Sequence, residues 1–239
     1  MTTLAILQAR MSSRRLPGKV LADVLGRPML ARQIERIARA KRIDRLVIAT
    51  SDQASDDPIA SLCASLSLAC VRGPLDDVLA RFFAAACAQP QRPAHVIRLT
   101  GDCPLTDPEL IDAVVELHLA SGADYTSNAL ERRFPDGLDV EAMRFDALAA
   151  AQREAATALQ REHVTPFLYE HPQRFALASL RGERALGALR WTVDEPADLR
   201  FVQRVYAELH PVSPSFGWRD VLALVESHAG FGAERGGAA

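Results

Sequence analysis

At 239 residues, with 49% apolar and 24% charged side chains and a formal net charge of −2, the chain can bury the core of one large domain. The near-neutral balance excludes a global electrostatic footprint for nucleic acid or a membrane surface, so any cationic feature is local. No apolar run approaches the ~20 residues of a membrane span, and the four cysteines (Cys63, Cys70, Cys87, Cys103) form no Cys-x-x-Cys pair; a cytoplasmic protein with reduced thiols is expected.

Residues 4–8 open the chain as a short buried strand. The loop from Ala9 to Lys19 then holds three arginines, one lysine, two serines and a Pro-Gly turn, with little to bury. A helical stripe follows over 28–41 through Met29, Leu30, Ile34 and Ile37, with Arg32, Arg36 and Arg39 expected on its solvated face. Residues 45–50 read as a second strand, ending in Ser51-Asp52. Asp57-Pro58 opens a helix to residue 66, and 69–72 is a third strand. Asp76 or Asp77 caps a helix reaching Cys87. Residues 95–99 form a fourth strand, in which a buried Arg98 must find a partner. Asp107-Pro108 caps the next helix. This rhythm predicts an α/β protein: three αβα layers around a mainly parallel, doubly wound sheet. Ligands of such sheets sit beyond the carboxyl ends of the strands, where the loop 10–19, Thr50 to Asp52, Arg72-Gly73 and Asp102 fall.

The middle of the chain changes character. Residues 125–129 read as a strand and 134–137 as a turn, while 138–143 alternates apolar and acidic residues as a half-exposed strand does. Helices are expected over 145–158 and 161–169, strands over 175–180 and 189–193, and helices after Asp194-Glu195-Pro196 and over 218–228. One domain spanning 1–228 is expected. Residues 130–185 would leave its sheet as an inserted lid or dimerisation subdomain, and 229–239 would form a flexible tail.

A tight, cationic, hydroxyl-bearing loop directly after the first strand suits a polyanion, most naturally a nucleoside triphosphate; a solvated basic loop is the plainer alternative. Lys19 is one of only two lysines in an arginine-rich chain, which favours a position wanting a compact point charge. Asp102 and Asp194 each lie at the predicted end of a strand beside a proline-bearing turn. Two such carboxylates facing a triphosphate suit Mg2+, although helix capping would also explain them. His163 has the chemistry of a general base or sugar contact, or of a histidine bonded to backbone. Asp139 and Glu141 share a strand face, where they meet sugar hydroxyls or pair with Arg132 or Arg133. Trp191 and Trp218 are expected to pack in the core.

Gln8-Ala9-Arg10, Ser13-x-Arg15-Leu16-Pro17-Gly18-Lys19 and Gly101-Asp102-x-Pro104-Leu105 closely resemble the cytidylyltransferases that activate acidic sugars, the CMP-sialate and CMP-3-deoxy-manno-octulosonate synthetases. Residues 72–82, 135–141, 161–167 and 191–199 resemble more closely the branch named for spore coat polysaccharide biosynthesis protein F. The resemblance runs from about residue 4 to 210. It implies a nucleotide-diphospho-sugar-transferase-like fold and a cytoplasmic homodimer, built partly through 130–185, that joins CMP from CTP to a small acidic sugar in surface polysaccharide biosynthesis.

The resemblance also implies site assignments. Arg10, Ser13, Arg15 and Lys19 would cradle the CTP phosphates, and the backbone around Leu7, Gln8 and Ala9 would lie along the base. Arg72, Asp77 and Arg81 would sit near base or ribose, with Thr100 and Gly101 beside them. Asp102 and Asp194 would hold Mg2+ and, with Arg10, Arg15 and Lys19, form the catalytic set. Asp136, Asp139, Glu141, Arg161, His163 and Thr165 would face the sugar. Thr100 stands where the octulosonate enzymes carry glutamine, which loosens the expectation of cytosine selectivity. The alternatives are another nucleotide or a non-ulosonate sugar, and a non-catalytic nucleotide-binding partner.

Overall fold

The computed structural model describes residues 2–227, so the expected flexible tail lies outside the described residues. In chain order the elements are β1 (Thr3–Gln8), a hairpin of β2 (Asp23–Val24) and β3 (Arg27–Pro28), α1 (Met29–Ile37), β4 (Arg45–Ser51), α2 (Asp57–Ser65), β5 (Ala69–Gly73), α3 (Val78–Cys87), β6 (His95–Thr100) and α4 (Pro108–Ser121). There follow β7 (Tyr125–Ser127), β8 (Glu141–Arg144), α5 (Phe145–Glu154), α6 (Ala158–His163), α7 (Pro166–Tyr169), β9 (Leu177–Ser179), α8 (Pro196–Leu209) and α9 (Trp218–Ser227).

Seven strands form one sheet in the order β5-β4-β1-β6-β8-β7-β9. All run parallel except β8, which pairs antiparallel with both neighbours. β1 is apolar and fully buried from Leu4 to Leu7, as a central strand covered on both faces must be. Helices α3, α5 and α7 cover one face, while α1, α2 and α4 cover the other. A third apolar cluster joins α8 and α9 to Leu105, Phe134, Leu138 and Trp191. The expected αβα sandwich is therefore present. The chain winds outward from β1 to β5, then crosses back to β6, placing the reversal of strand order between β1 and β6.

Four expectations need correction. Residues 130–185 are woven into the main sheet through β8 and β9 and do not stand clear of it as an insert. β8 is an interior strand with Glu141, Ala142 and Met143 all buried, not half-exposed. Residues 189–193 make no ladder, only a bridge between Asp136 and Arg190. Finally, Arg32 and Arg36 are buried: Arg32 donates to Val24 O (3.1 Å) and Leu25 O (2.6 Å), Arg36 to Thr106 O (2.8 Å) and Phe216 O (3.1 Å). Tyr206 of α8 lies over Arg32 and Phe216, ahead of α9, over Arg36, so this face is covered and the carbonyls of the neighbouring loops accept most of its donors.

One buried group makes the fold pH-sensitive. His118 on α4 is 1% exposed, with Nδ1 against Thr126 Oγ1 (3.0 Å) and Nε2 against His95 Nδ1 (3.0 Å). Burial above all, then the nearby charges of His95 and Arg144, pushes its pKa down to about 4. The unfolded chain takes up this proton near pH ~6.5, so below that pH it binds more protons than the fold, and stability falls as pH falls toward about 4. Urea melts from pH ~7 down to ~4 should therefore show wild type losing about 3 kcal/mol more than His118→Gln; equal losses would contradict this.

Candidate active site

β1 and β6 end in register, Gln8 beside Thr100, and the Gly101 N–H extends the ladder by donating to Gln8 O (2.7 Å). A Cβ at position 101 would lie 2.8 Å from that oxygen, so glycine lets the two segments run this close.

The cationic loop folds back on itself from this point. Met11 O accepts from the Ser13 and Gly18 amides (2.9 Å each), and Gly18 adopts the left-handed conformation at φ 75°. Ser13 Oγ accepts from the Leu16 amide (3.4 Å). Asp56, fully buried, fixes the start of the loop. Its carboxylate accepts from the Met11 amide (2.7 Å), the Ser51 amide (3.0 Å) and the Thr50 hydroxyl (3.1 Å). Burial pushes this carboxyl's pKa up, but the donated hydrogen bonds outweigh it and the net shift is downward.

The loop ends by seating Lys19. Its Nζ donates to Val193 O (2.5 Å) and Asp194 Oδ1 (3.0 Å) and lies 3.5 Å from Asp102 Oδ2. The Val193 amide donates to Asp102 O (2.8 Å), tying the two carboxylate-bearing turns together. Arg15 holds the other Asp194 oxygen at 3.0 Å. Asp198 accepts from the Asp194 and Glu195 amides (3.0 Å each), which fixes the turn that presents Asp194. Burial would raise the pKa of Asp102, but the Lys19 charge and a hydrogen bond from Thr100 bring it below the usual carboxylate value.

These segments enclose a cavity of about 970 Å³. Arg10, Ser13, Arg15 and Lys19 form one wall; Gln8, Ala9, Thr100, Gly101 and Asp102 form the floor. Asp77 and Arg81 at the β5–α3 corner, Arg161 and His163 on α6, and Asp194 complete the lining. Asp77 caps α3 through the Ala80 amide (2.9 Å) and holds Arg161, whose Nε lies 3.0 Å away. Arg81 is 1% exposed and gives Nη1 to Pro74 O (2.8 Å), while its buried Nε has no hydrogen-bond partner among the described residues.

Six expected site residues do not join this lining. Leu7 is a fully buried core residue. Arg72 braces the β4 turn through Ser51 O and Gln53 O (2.9 Å each) and Asp57 (2.7 Å). Asp136 and Asp139 pair with Arg132 (2.9 and 2.8 Å). Glu141 accepts from the Tyr125 and Thr165 hydroxyls (2.7 Å each) and pairs with Arg98, so its carboxylate is saturated inside the protein. Thr165 is 2% exposed beneath it. Because β8 is interior, Glu141 had to find partners there, and these residues supply them.

Between α6 and α7 the Thr165 amide donates to His163 O (2.8 Å) across Val164, at φ 71° and ψ −54°. This is a γ-turn of the strained, positive-φ kind. It sends His163 to the cavity and Thr165 to Glu141. Sequence reasoning missed Asp56 as the anchor of the loop, and Arg98 and Glu162 as lining residues. Asp56 stands just before the Asp57-Pro58 pair that opens a helix, and nothing in the local pattern signals its bond to Met11.

The cytidylyltransferase family model matches residues 4–205. The chain is 37% identical over 211 residues to MJ1063 of Methanocaldococcus jannaschii, an uncharacterized protein, covering 87% of this chain and 83% of that one. It is 32% identical over 212 residues to the spore coat polysaccharide biosynthesis protein SpsF of Bacillus subtilis, covering 85% of each. A solved cytidylyltransferase from Leptospira borgpetersenii superposes with a TM-score of 0.92 at 25% identity, over 100% of this chain and 99% of that one.

Asp56 supplies a test of how the loop is held. Asp56→Asn keeps the side chain's shape but loses a charged acceptor for the Met11 or Ser51 amide, at about 1–3 kcal/mol. Calorimetric titration should show CTP affinity falling about tenfold or more while the far-UV spectrum is retained. Unchanged affinity would show that the loop does not need this anchor.

Proposed function

The chain belongs to the cytidylyltransferase family, and on that premise we propose that it joins CMP from CTP to an acidic sugar, releasing pyrophosphate, in bacterial surface polysaccharide biosynthesis. Family membership supports nucleotidyltransferase activity, and the retained Arg10, Arg15, Lys19, Asp102 and Asp194 argue against a non-catalytic nucleotide-binding partner. The single observation that carries the finer reading is the meeting of Lys19 with Asp102 and Asp194 in a cavity walled by Arg10 and Arg15. The motifs from Gln8 to Lys19 and from Gly101 to Leu105 support the acidic-sugar class by resemblance.

In this reading Arg10, Arg15 and Lys19 take the triphosphate, Ser13 and the loop amides line it, and Arg81 faces base or ribose. An acceptor hydroxyl attacks the α-phosphorus in line. A new oxygen–phosphorus bond forms, the α–β bridge breaks with its electron pair leaving on pyrophosphate, and the hydroxyl proton passes to water. Little covalent work falls to the protein. Its cations neutralise charge on the phosphate oxygens, and its walls hold the reactants aligned.

Asp102 and Asp194 are two hard oxygen donors already turned on one cation, the Lys19 ammonium, and this donor chemistry fits magnesium shared with nucleotide phosphates. Bound there, the ion supplies further neutralisation of the reacting phosphates. Among the described residues no group of three or more His, Cys, Asp or Glu is arranged to hold a metal, so phosphate and water oxygens would complete the shell.

The reading includes a cytoplasmic homodimer, built partly through residues 130–185. Among the described residues no helix is long and apolar enough to cross a membrane. A second reading keeps the nucleotidyl transfer and changes the acceptor to a non-ulosonate sugar. It is favoured by Arg98 and Arg161, each already matched by a carboxylate, Glu141 and Asp77.

Pyrophosphate release with Mg2+, each nucleoside triphosphate and a panel of sugar acids tests the proposal. CTP-dependent release with an ulosonate is expected; release only with another base or a non-acidic sugar would overturn it. Asp102→Asn should keep the fold and lower kcat by about 10²–10³, and wild-type turnover would remove its catalytic role.

A further inference from the structure

Lys19 is not a surface lysine free to wander. Its side chain is 9% exposed, and its ammonium touches Val193 O, Asp194 Oδ1 and Asp102 Oδ2 at 2.5, 3.0 and 3.5 Å. Arg15 holds the second Asp194 oxygen at 3.0 Å, and Arg190 stands 3.8 Å from it. Two carboxylates therefore face one buried cation, with two further cations outside it. A divalent ion using Asp102 and Asp194 as ligands would meet the Lys19 charge at the same oxygens, and like charges at that range repel strongly in a partly desolvated site.

From this geometry we infer that Lys19 and the divalent ion compete for the same two carboxylates, so that Lys19 sets the order of loading. The ion enters with the nucleotide, because the triphosphate brings the negative charge that draws the Lys19 ammonium off Asp102 and Asp194. Without nucleotide, Lys19 satisfies both carboxylates and keeps the ion out. Lys19 thus has two successive anionic partners, a carboxylate pair and then a phosphate. Its compact ammonium suits the exchange better than a planar guanidinium, which would fork onto one carboxylate. The inference rests on the proposed reading of this site as a magnesium–nucleotide site.

The test is a titration of Mn2+ into the full-length protein, read by the paramagnetic resonance signal of the free ion. It needs neither turnover nor an acceptor, so failure of the substrate panel would leave it interpretable. Wild type alone should leave Mn2+ free, and an α,β-methylene analogue of CTP should bring the ion onto the protein beyond what the analogue holds by itself. Lys19→Met should bind Mn2+ without nucleotide at least about tenfold more tightly than wild type. Lys19→Met/Asp102→Asn should lose that gain. Lys19→Gln serves the same comparison if thermal melting shows that the methionine variant does not fold. Wild type binding Mn2+ alone as tightly as the folded Lys19 variant, or a folded variant with no gain, would overturn the inference.

Discussion

A single buried ammonium joins parts of this protein that lie far apart in sequence. Lys19 Nζ reaches Val193 O, Asp194 and Asp102, drawing together the end of the first loop, the turn after β6 and the turn before α8. A charge this deeply placed must be matched, and two carboxylates and a carbonyl match it. The backbone bond from Val193 to Asp102 fixes the same junction a second time. Without the reversal of strand order between β1 and β6, no crevice would exist there for these turns to share.

Behind that junction, a set of buried polar groups holds the walls. Asp56 is spent entirely on the loop and the end of β4, and Glu141 on Arg98, Tyr125 and Thr165. Such groups are costly to bury unless every lone pair is used, and saturated networks of this kind rigidify what they touch. They leave the lining side chains anchored on stiff supports, which is what alignment of two reactants requires. The strained turn at Val164 fits the same pattern. It divides one short stretch between the cavity and the interior, and the packing of Val164 at 0% exposure holds it in place.

Much of this was legible in the chain itself. Continuous apolar runs marked the parallel strands, and polar residues at their carboxyl ends marked the crevice. Placement at strand ends gathered the loop 10–19 and Asp102 round one crevice, whereas Asp194 was brought to them by the resemblance, since 189–193 is no ladder strand. What pattern could not show was the partner of each charge. The acidic alternation over 138–143 looks solvated in sequence, yet β8 lies between β6 and β7, and that position is a property of the sheet alone. Likewise Arg32 and Arg36 read as a wet helix face until Tyr206 and Phe216, from the far end of the chain, cover them. Asp56 was hidden for a different reason. An aspartate before Asp-Pro already has an ordinary explanation as a helix cap, and its long-range bond to Met11 leaves no local trace.

The account depends on a triphosphate and a divalent ion meeting at the Lys19 junction. The measurement that bears on it most directly is an anomalous-difference map from crystals grown with Mn2+ and a non-hydrolysable CTP analogue. The account predicts a manganese peak within direct coordination distance of both Asp102 and Asp194, with triphosphate density along residues 10–19. A peak touching neither carboxylate, or triphosphate density outside that loop, would contradict it.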